Sequence, residues 1–393
     1  MSIDESQVSA AVAHVDDPEL RRPLGELGMV GGVRTKRRKA TVEVALPVAH
    51  YPQVGELTAR VRAAVARVDG VDEVTVDTTV MDEETRARLR MLLRGDAVDG
   101  GTMHAADDGH DHGHGQGSGA LGHEEGRPNK FMEPRSKTRI LGISSGKGGV
   151  GKSSVTVNLA VALTRAGYDV GILDADVYGF SVPKMLGITS DPLIIGDLVV
   201  PPTANGVRCL SMGFFVADDT PVIWRGPMLH KALEQFLVDA YWGEPDFLLI
   251  DMPPGTGDVT LSLGQYLTKT EVFVVTTPQA AAQRVAQRSA YAARKLKLAV
   301  RGVIENMSWF TGDEGTRYEL FGAGGGEQLA KDLGVPLLGK IPFVPALREG
   351  GDEGVPVVVA DPDGEAAAVF AQLAATIAGL GPARVYRREL TVK

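Results

Sequence analysis

The spacing of hydrophobic residues along the chain changes twice, and each change marks a different kind of structure. A short helix is expected around Val8 to Val15, followed by a turn at Asp16-Asp17-Pro18. Val42, Val44 and Leu46 then alternate as a half-buried strand. Val54, Leu57, Val61, Val65 and Val68 recur at helical spacing, and Val74 and Val76 alternate again. Asp82-Glu83-Glu84 opens a last helix with acid at its positive end, and Arg86, Arg88, Arg90 and Arg94 follow toward the negative end. Residues 1–94 therefore read as a small α+β domain.

Between 95 and 126 the large apolar side chains almost disappear, while ten glycines and five of the eight histidines gather there. Such a stretch buries too little surface to offset its ordering entropy, so residues 95–137 are expected to form a flexible linker. His110, His112 and His114 beside Asp108 and Asp111 are residue types that ligate divalent metals. The plainer reading is a solvated linker.

From 138 to 382 short apolar runs alternate with helical stretches. Strands are expected at Arg139 to Ser144, Asp169 to Leu173, Val207 to Met212, Phe247 to Ile250, Val272 to Thr277, Val300 to Ile304 and Leu337 to Ile341. Helical spacing separates most of them, as in Leu229, Leu233, Phe236 and Leu237, or from Val285 through Leu296. This pattern predicts an α/β fold, a doubly wound and mainly parallel sheet covered on both faces, with ligands at the carboxyl ends of its strands. Residues 383–393 are a basic tail.

Composition narrows the function. Across 393 residues the net charge is -9, which speaks against a nucleic-acid or anionic-membrane binder. One cysteine excludes an internal disulfide framework, and neither a membrane span nor a signal sequence is expected, so the chain reads as cytoplasmic.

The chemistry starts right after the first strand of the sheet. Residues 146–153, GKGGVGKS, satisfy GxxxxGK[ST] between a strand and a helix, the context of a phosphate-binding loop. Gly146, Gly148, Gly149 and Gly151 let backbone amides turn inward on a polyphosphate. Lys152 reaches the terminal phosphates, and the Ser153 hydroxyl is a ligand for Mg²⁺. Asp176, after the second strand, is placed to orient an attacking water. Asp251, closing the strand Phe247 to Ile250, is placed to hold Mg²⁺ through its water shell. Pro253-Pro254-Gly255 is expected to bring a backbone N–H near the γ-phosphate.

The second lysine of the loop, Lys147, makes it resemble the deviant Walker A class of dimeric ATPases that includes MinD, ParA and the nitrogenase iron protein. That resemblance implies a homodimer in which Lys147 reaches across to the partner's phosphates. Within the class, the chain resembles the Mrp/ApbC (Nbp-like) branch of iron-sulfur cluster carriers. The likeness is carried by DADVYGFSVPKMLG (174–187), WRGPMLHKAL (224–233), DFLLIDMPPGTGD (246–258), GVIENMSWF (302–310), LFGAGGGEQLA (320–330) and IPFVPALREGGDEGVP (341–356). Residues 1–94 resemble the MIP18-like module that precedes the ATPase in many bacterial members.

By this resemblance Val150 and Ser154 join the glycines, Lys147, Lys152, Ser153 and Pro254 as nucleotide-binding residues, Asn306 reads adenine, and ATP is the nucleotide. The same resemblance implies a slowly hydrolysing ATPase that binds and transfers clusters, with iron-sulfur assembly proteins and apoprotein clients as partners. It also implies a 4Fe-4S cluster held between subunits by a CxxC pair. Here the chain departs. Thr311-Gly312-Asp313-Glu314-Gly315 stands where that pair is expected, and the single Cys209 falls in an apolar strand and reads as a buried structural thiol. Ala49-His50-Tyr51-Pro52 lacks the cysteine expected before its proline, and Phe180 replaces a proline before Ser181. Two other readings therefore stay open: a nucleotide-switched adaptor without its own cluster, and a spatial organiser of the MinD/ParA kind.

Overall fold

The computed structural model describes residues 3–95, 129–176, 179–215, 226–255 and 258–383. The histidines and aspartates expected to mark the linker, and tail residues 384–393, lie outside them. Contacts divide the chain into two compact units, residues 1–125 with 193–200, and residues 126–192 with 201–393.

In the first unit, α1 (Glu5–Ala13) begins at Asp4, whose carboxylate accepts the Ser6 N–H at 2.9 Å, an N-cap. β1 (Val30–Lys36) and β2 (Lys39–Leu46) pair antiparallel; α2 (Val54–Val65) follows, and β3 (Glu73–Val80) returns parallel to β2. The alternating Val42, Val44 and Leu46 are buried, as are Leu57, Val61 and Val65 on one face of α2. α3 (Glu83–Arg94) starts at Asp82, which accepts the Thr85 N–H at 2.7 Å, and stops at Gly95, whose φ of 75° suits glycine.

The second unit opens with β4 (Arg139–Ser145), α4 (Lys152–Arg165), β5 (Val170–Asp174) and α5 (Val182–Leu186). A hairpin of β6 (Leu193–Ile195) and β7 (Leu198–Val200), which groups with the first unit, precedes β8 (Thr203–Ala204) and β9 (Val207–Ser211). Then come α6 (Gly226–Val238), β10 (Phe247–Asp251), α7 (Asp258–Tyr266), β11 (Glu271–Thr276), α8 (Ala280–Lys295) and β12 (Ala299–Glu305). The chain continues through β13 (Phe310–Thr311), β14 (Arg317–Tyr318), α9 (Gly325–Leu333), β15 (Leu337–Lys340), α10 (Pro345–Glu353), α11 (Val357–Ala360) and α12 (Glu365–Gly379).

Eight of these strands form one sheet in the order β15-β12-β11-β4-β10-β5-β9-β8, parallel except where β8 meets β9. Alternate side chains of β11 explain the two covered faces. Phe273 and Val275 join one apolar cluster with α4 and α12, while Val272 and Val274 join another with α8 and α9. α4 is buried nearly all round, with Val155, Val157, Leu159, Val161 and Leu163 each 1% exposed or less. The order of strand addition reverses at β4: β10 and β5 lie on one side of it and β11 and β12 on the other, the arrangement that opens a crevice at the carboxyl edge.

Candidate functional site

That crevice is occupied by the glycine loop between β4 and α4. Its shape is fixed by close approach on two sides. At Gly146 an added Cβ would lie 2.2 Å from the backbone of Val285 and Ala286, so α8 abuts the loop there. At Gly151 φ is 79°, and a Cβ would come within 2.3 Å of the Asn306 amide. Asn306, at the end of β12, is 1% exposed and donates from Nδ2 to the Val150 carbonyl at 2.9 Å, bracing the loop from behind. Its Oδ1 is buried without a hydrogen-bond partner among the described residues. Val150 itself is buried in the core.

A cavity of about 220 Å³ opens on the other side of the loop. Lys147, Gly148, Gly149, Lys152, Ser153 and Ser154 line it, with Asp176 and Pro254 on its margin. Lys147 lies with Nζ 3.4 Å from the Gln279 side-chain oxygen. Pro254 has no N–H, and the next amide, Gly255, donates to the Ser145 carbonyl at 3.1 Å. The expected amide of residues 253–255 is thus spent on β4 rather than offered to the cavity.

Beneath the loop the parallel register sets Asp251 of β10 directly beside Asp174 of β5. Both are fully buried. Asp251 accepts from Lys152 Nζ at 2.5 Å and Ser153 Oγ at 2.6 Å on one oxygen, and from Thr156 Oγ1 at 2.6 Å on the other. Asp176 Oδ2 stands 3.7 Å from the same ammonium. Asp174 accepts from Ser211 Oγ at 3.0 Å and from the Asp176 N–H at 3.2 Å. Burial, reinforced by the neighbouring charge of Asp251, pushes the Asp174 carboxyl up to about 7.

Two participants here carry no role in the sequence reading: Thr156 and Ser211. Thr156 was detectable in principle, because it follows Lys152 by four residues and so shares its helix face. Ser211 meets Asp174 only through the register of β5 with β9.

The donor set fits the expected ligands. Amides of a glycine turn at a helix N-terminus, with a lysine at its base, suit phosphate, and a serine hydroxyl beside a carboxylate is the hard oxygen set that Mg²⁺ takes. Thiolates are another matter. Cys209 is 0% exposed in β9 opposite Ile172, and burial pushes its thiol well up. Residues 310–318 form a closed hairpin, with the Gly312 N–H on the Thr316 carbonyl at 2.9 Å. One carboxylate, Glu365 of α12, accepts from Trp309, Thr311 and Arg317 and pins that hairpin down. Among the described residues no group of three or more His, Cys, Asp or Glu is arranged to hold a metal ion. His50 is exposed, while Tyr51 is buried and donates to Asp17 at 2.6 Å. Phe180 is 39% exposed, its ring lying where a Cβ on Gly213 would come within 2.4 Å.

The family model described as the NUBPL iron-transfer P-loop NTPase matches residues 136–378. The chain belongs to this family. Its NUBPL-type NTPase unit is preceded by a segment, residues 5–77, that matches the model of an iron-sulfur cluster assembly protein. A protein of Mycobacterium tuberculosis named iron-sulfur cluster carrier protein is 45% identical over 363 residues, which is 91% of this chain and 88% of that one. A protein of the same name from Bacillus subtilis is 39% identical over 343 residues, 87% of this chain and 88% of that one. A solved nucleotide-binding protein from Archaeoglobus fulgidus, in complex with ADP, is 34% identical, with a TM-score of 0.49 over 56% of this chain and 87% of that one. As a NUBPL-type P-loop NTPase the chain is a nucleotide-hydrolysing protein. Among its described residues no helix is long and apolar enough to cross a membrane.

Proposed function

We propose that this protein is an ATP-hydrolysing, dimer-forming carrier that binds iron-sulfur clusters and delivers them to apoproteins in the cytoplasm. The observation that carries the reading is the contact set of Lys152, Ser153 and Asp251 beneath the glycine loop, in a chain 45% identical to a cluster carrier over nearly its whole length. On this reading Lys152 leaves Asp251 for the β and γ phosphates of ATP, and the loop amides and Ser154 surround them. Asp176 orients the water that attacks the γ-phosphate, and Pro254 closes the margin of the cavity. Asn306 keeps one amide hydrogen and its Oδ1 for the N6 and N7 edge of adenine while its other hydrogen holds the loop. Ser153 and Asp251 would hold Mg²⁺, which when bound neutralises charge developing on the transferred phosphoryl group.

Lys147, held on its own subunit by one long hydrogen bond to Gln279, is released on dimer closure to reach the partner's phosphates. Turnover is slow, because hydrolysis resets a conformation rather than feeding a metabolic flux. Lys147→Ala is expected to keep nucleotide binding and lose most hydrolysis in a steady-state ATPase assay; unchanged turnover refutes the trans role.

A second reading has one observation in its favour. With Cys209 buried and residues 310–318 closed on Glu365, the described residues offer no accessible thiolate. A nucleotide-switched adaptor that passes partners rather than clusters would need none. Anaerobic reconstitution with iron, sulfide and a small thiol separates the two. Retention of about one cluster per dimer, with ATP-dependent transfer to an apoprotein, supports the carrier. A chain that stays free of iron under those conditions is the adaptor.

A further inference from the structure

Asp251 is held from three directions, and two of its three donors have other work on the proposed reading: Lys152 goes to phosphate and Ser153 to Mg²⁺. The third does not. Thr156 is 0% exposed, lies one turn along α4 from Lys152, and is absent from the lining of the cavity. Its hydroxyl lies 2.6 Å from Asp251 Oδ1 and 3.0 Å from the Lys152 carbonyl. A threonine in a helix commonly bonds back to the carbonyl four residues earlier. Here the shorter contact is to a carboxylate, and the single hydroxyl hydrogen goes to the charged acceptor.

We propose that Thr156 is a positioning residue for the Mg²⁺ site. It fixes the rotation of the Asp251 carboxylate so that Oδ2 stays turned toward Ser153 after Lys152 has left for the phosphates. A carboxylate held only by groups that are drawn away on ligand binding is free to turn about its terminal bond, which is broad and soft. Thr156 removes that freedom from a place that neither nucleotide nor metal touches. The inference rests on the glycine loop being a Mg²⁺-nucleotide site.

The test is equilibrium binding of ADP to the full chain, by calorimetry, with Mg²⁺ and again with EDTA. Thr156→Val keeps shape and helix propensity and removes only the donor. Its affinity in EDTA is expected to stay within about twofold of the wild type, while the gain in affinity on adding Mg²⁺ falls about tenfold, the loss of one charge-assisted hydrogen bond. Thr156→Ser, which restores the hydroxyl, is expected to restore the gain. Thr156→Ala is read by the same criterion if the valine variant does not fold. A full Mg²⁺ gain in the valine variant overturns the proposal. So does an equal loss with and without Mg²⁺, which would make Thr156 a support of the loop. A wild-type chain with no Mg²⁺-dependent affinity would instead bring down the nucleotide-site reading, and this inference with it.

Discussion

Removing the ammonium of Lys152 tests the electrostatics beneath the loop before any ligand is added. Its side chain is 7% exposed, 2.5 Å from Asp251 and 3.7 Å from Asp176, with the fully buried Asp174 alongside Asp251 in the sheet. Lys152→Met keeps the buried stem and deletes the charge, leaving the buried Asp251 without its ammonium partner beside the buried Asp174. Breaking a buried pair by removing one partner costs about 3–5 kcal/mol. Two features reduce that here: Asp251 keeps the Ser153 and Thr156 hydroxyls, and Asp174 is able to take up a proton near neutral pH. An expected loss of about 3 kcal/mol follows, which in a domain of this size lowers Tm by about 6–12 °C. Scanning calorimetry without nucleotide at pH 7.5 measures it, and calorimetric titration with ATP is expected to show at least about a hundredfold loss of affinity. A variant whose P-loop unit melts within about 2 °C of the wild type and still binds ATP tightly would refute this reasoning.

Two further expectations concern the same corner of the fold. Gly151→Ala places a Cβ at a φ of 79° and against the Asn306 amide, so it combines left-handed strain with loss of the bond to Val150; a destabilisation of about 2–4 kcal/mol is expected in urea unfolding, and less than about 1 kcal/mol would mean the loop yields easily. An unfolded aspartate titrates near about 4, whereas Asp174 titrates at about 7 when folded, so the native state binds the extra proton across that window. Stability from this group therefore falls as pH rises from about 4 to about 7 and stays low above it. Asp174→Asn is expected to flatten that slope in Tm measured from pH 5 to 8, and parallel slopes would contradict it.

Most of the parallel sheet was legible because its strands are short, largely apolar runs that end in a polar residue. The expected Asp169 to Leu173 and Val272 to Thr277 became Val170–Asp174 and Glu271–Thr276, a shift of one residue. β1 was hidden because Gly31 and Gly32 interrupt its alternation. The β6–β7 hairpin was hidden because each arm has three residues, too few to show a period. Within the site, the glycine loop, Lys152, Ser153 and Asp251 follow from spacing alone. The brace between Asn306 and Val150 joins residues 156 apart, and the Asp174–Ser211 bond depends on which strands are neighbours, so neither has a local signature.

Because α4 is sealed in apolar side chains on nearly every side, it has no room to tilt or slide when its N-terminus exchanges one anion for another. On the proposed reading, rearrangement during a turnover cycle is therefore confined to side chains at the loop: Lys152 leaving Asp251 and Lys147 leaving Gln279. The helix acts as a fixed footing, so occupancy of the loop should register as heat resistance of the whole domain, making a melting curve a direct gauge of which nucleotide is bound.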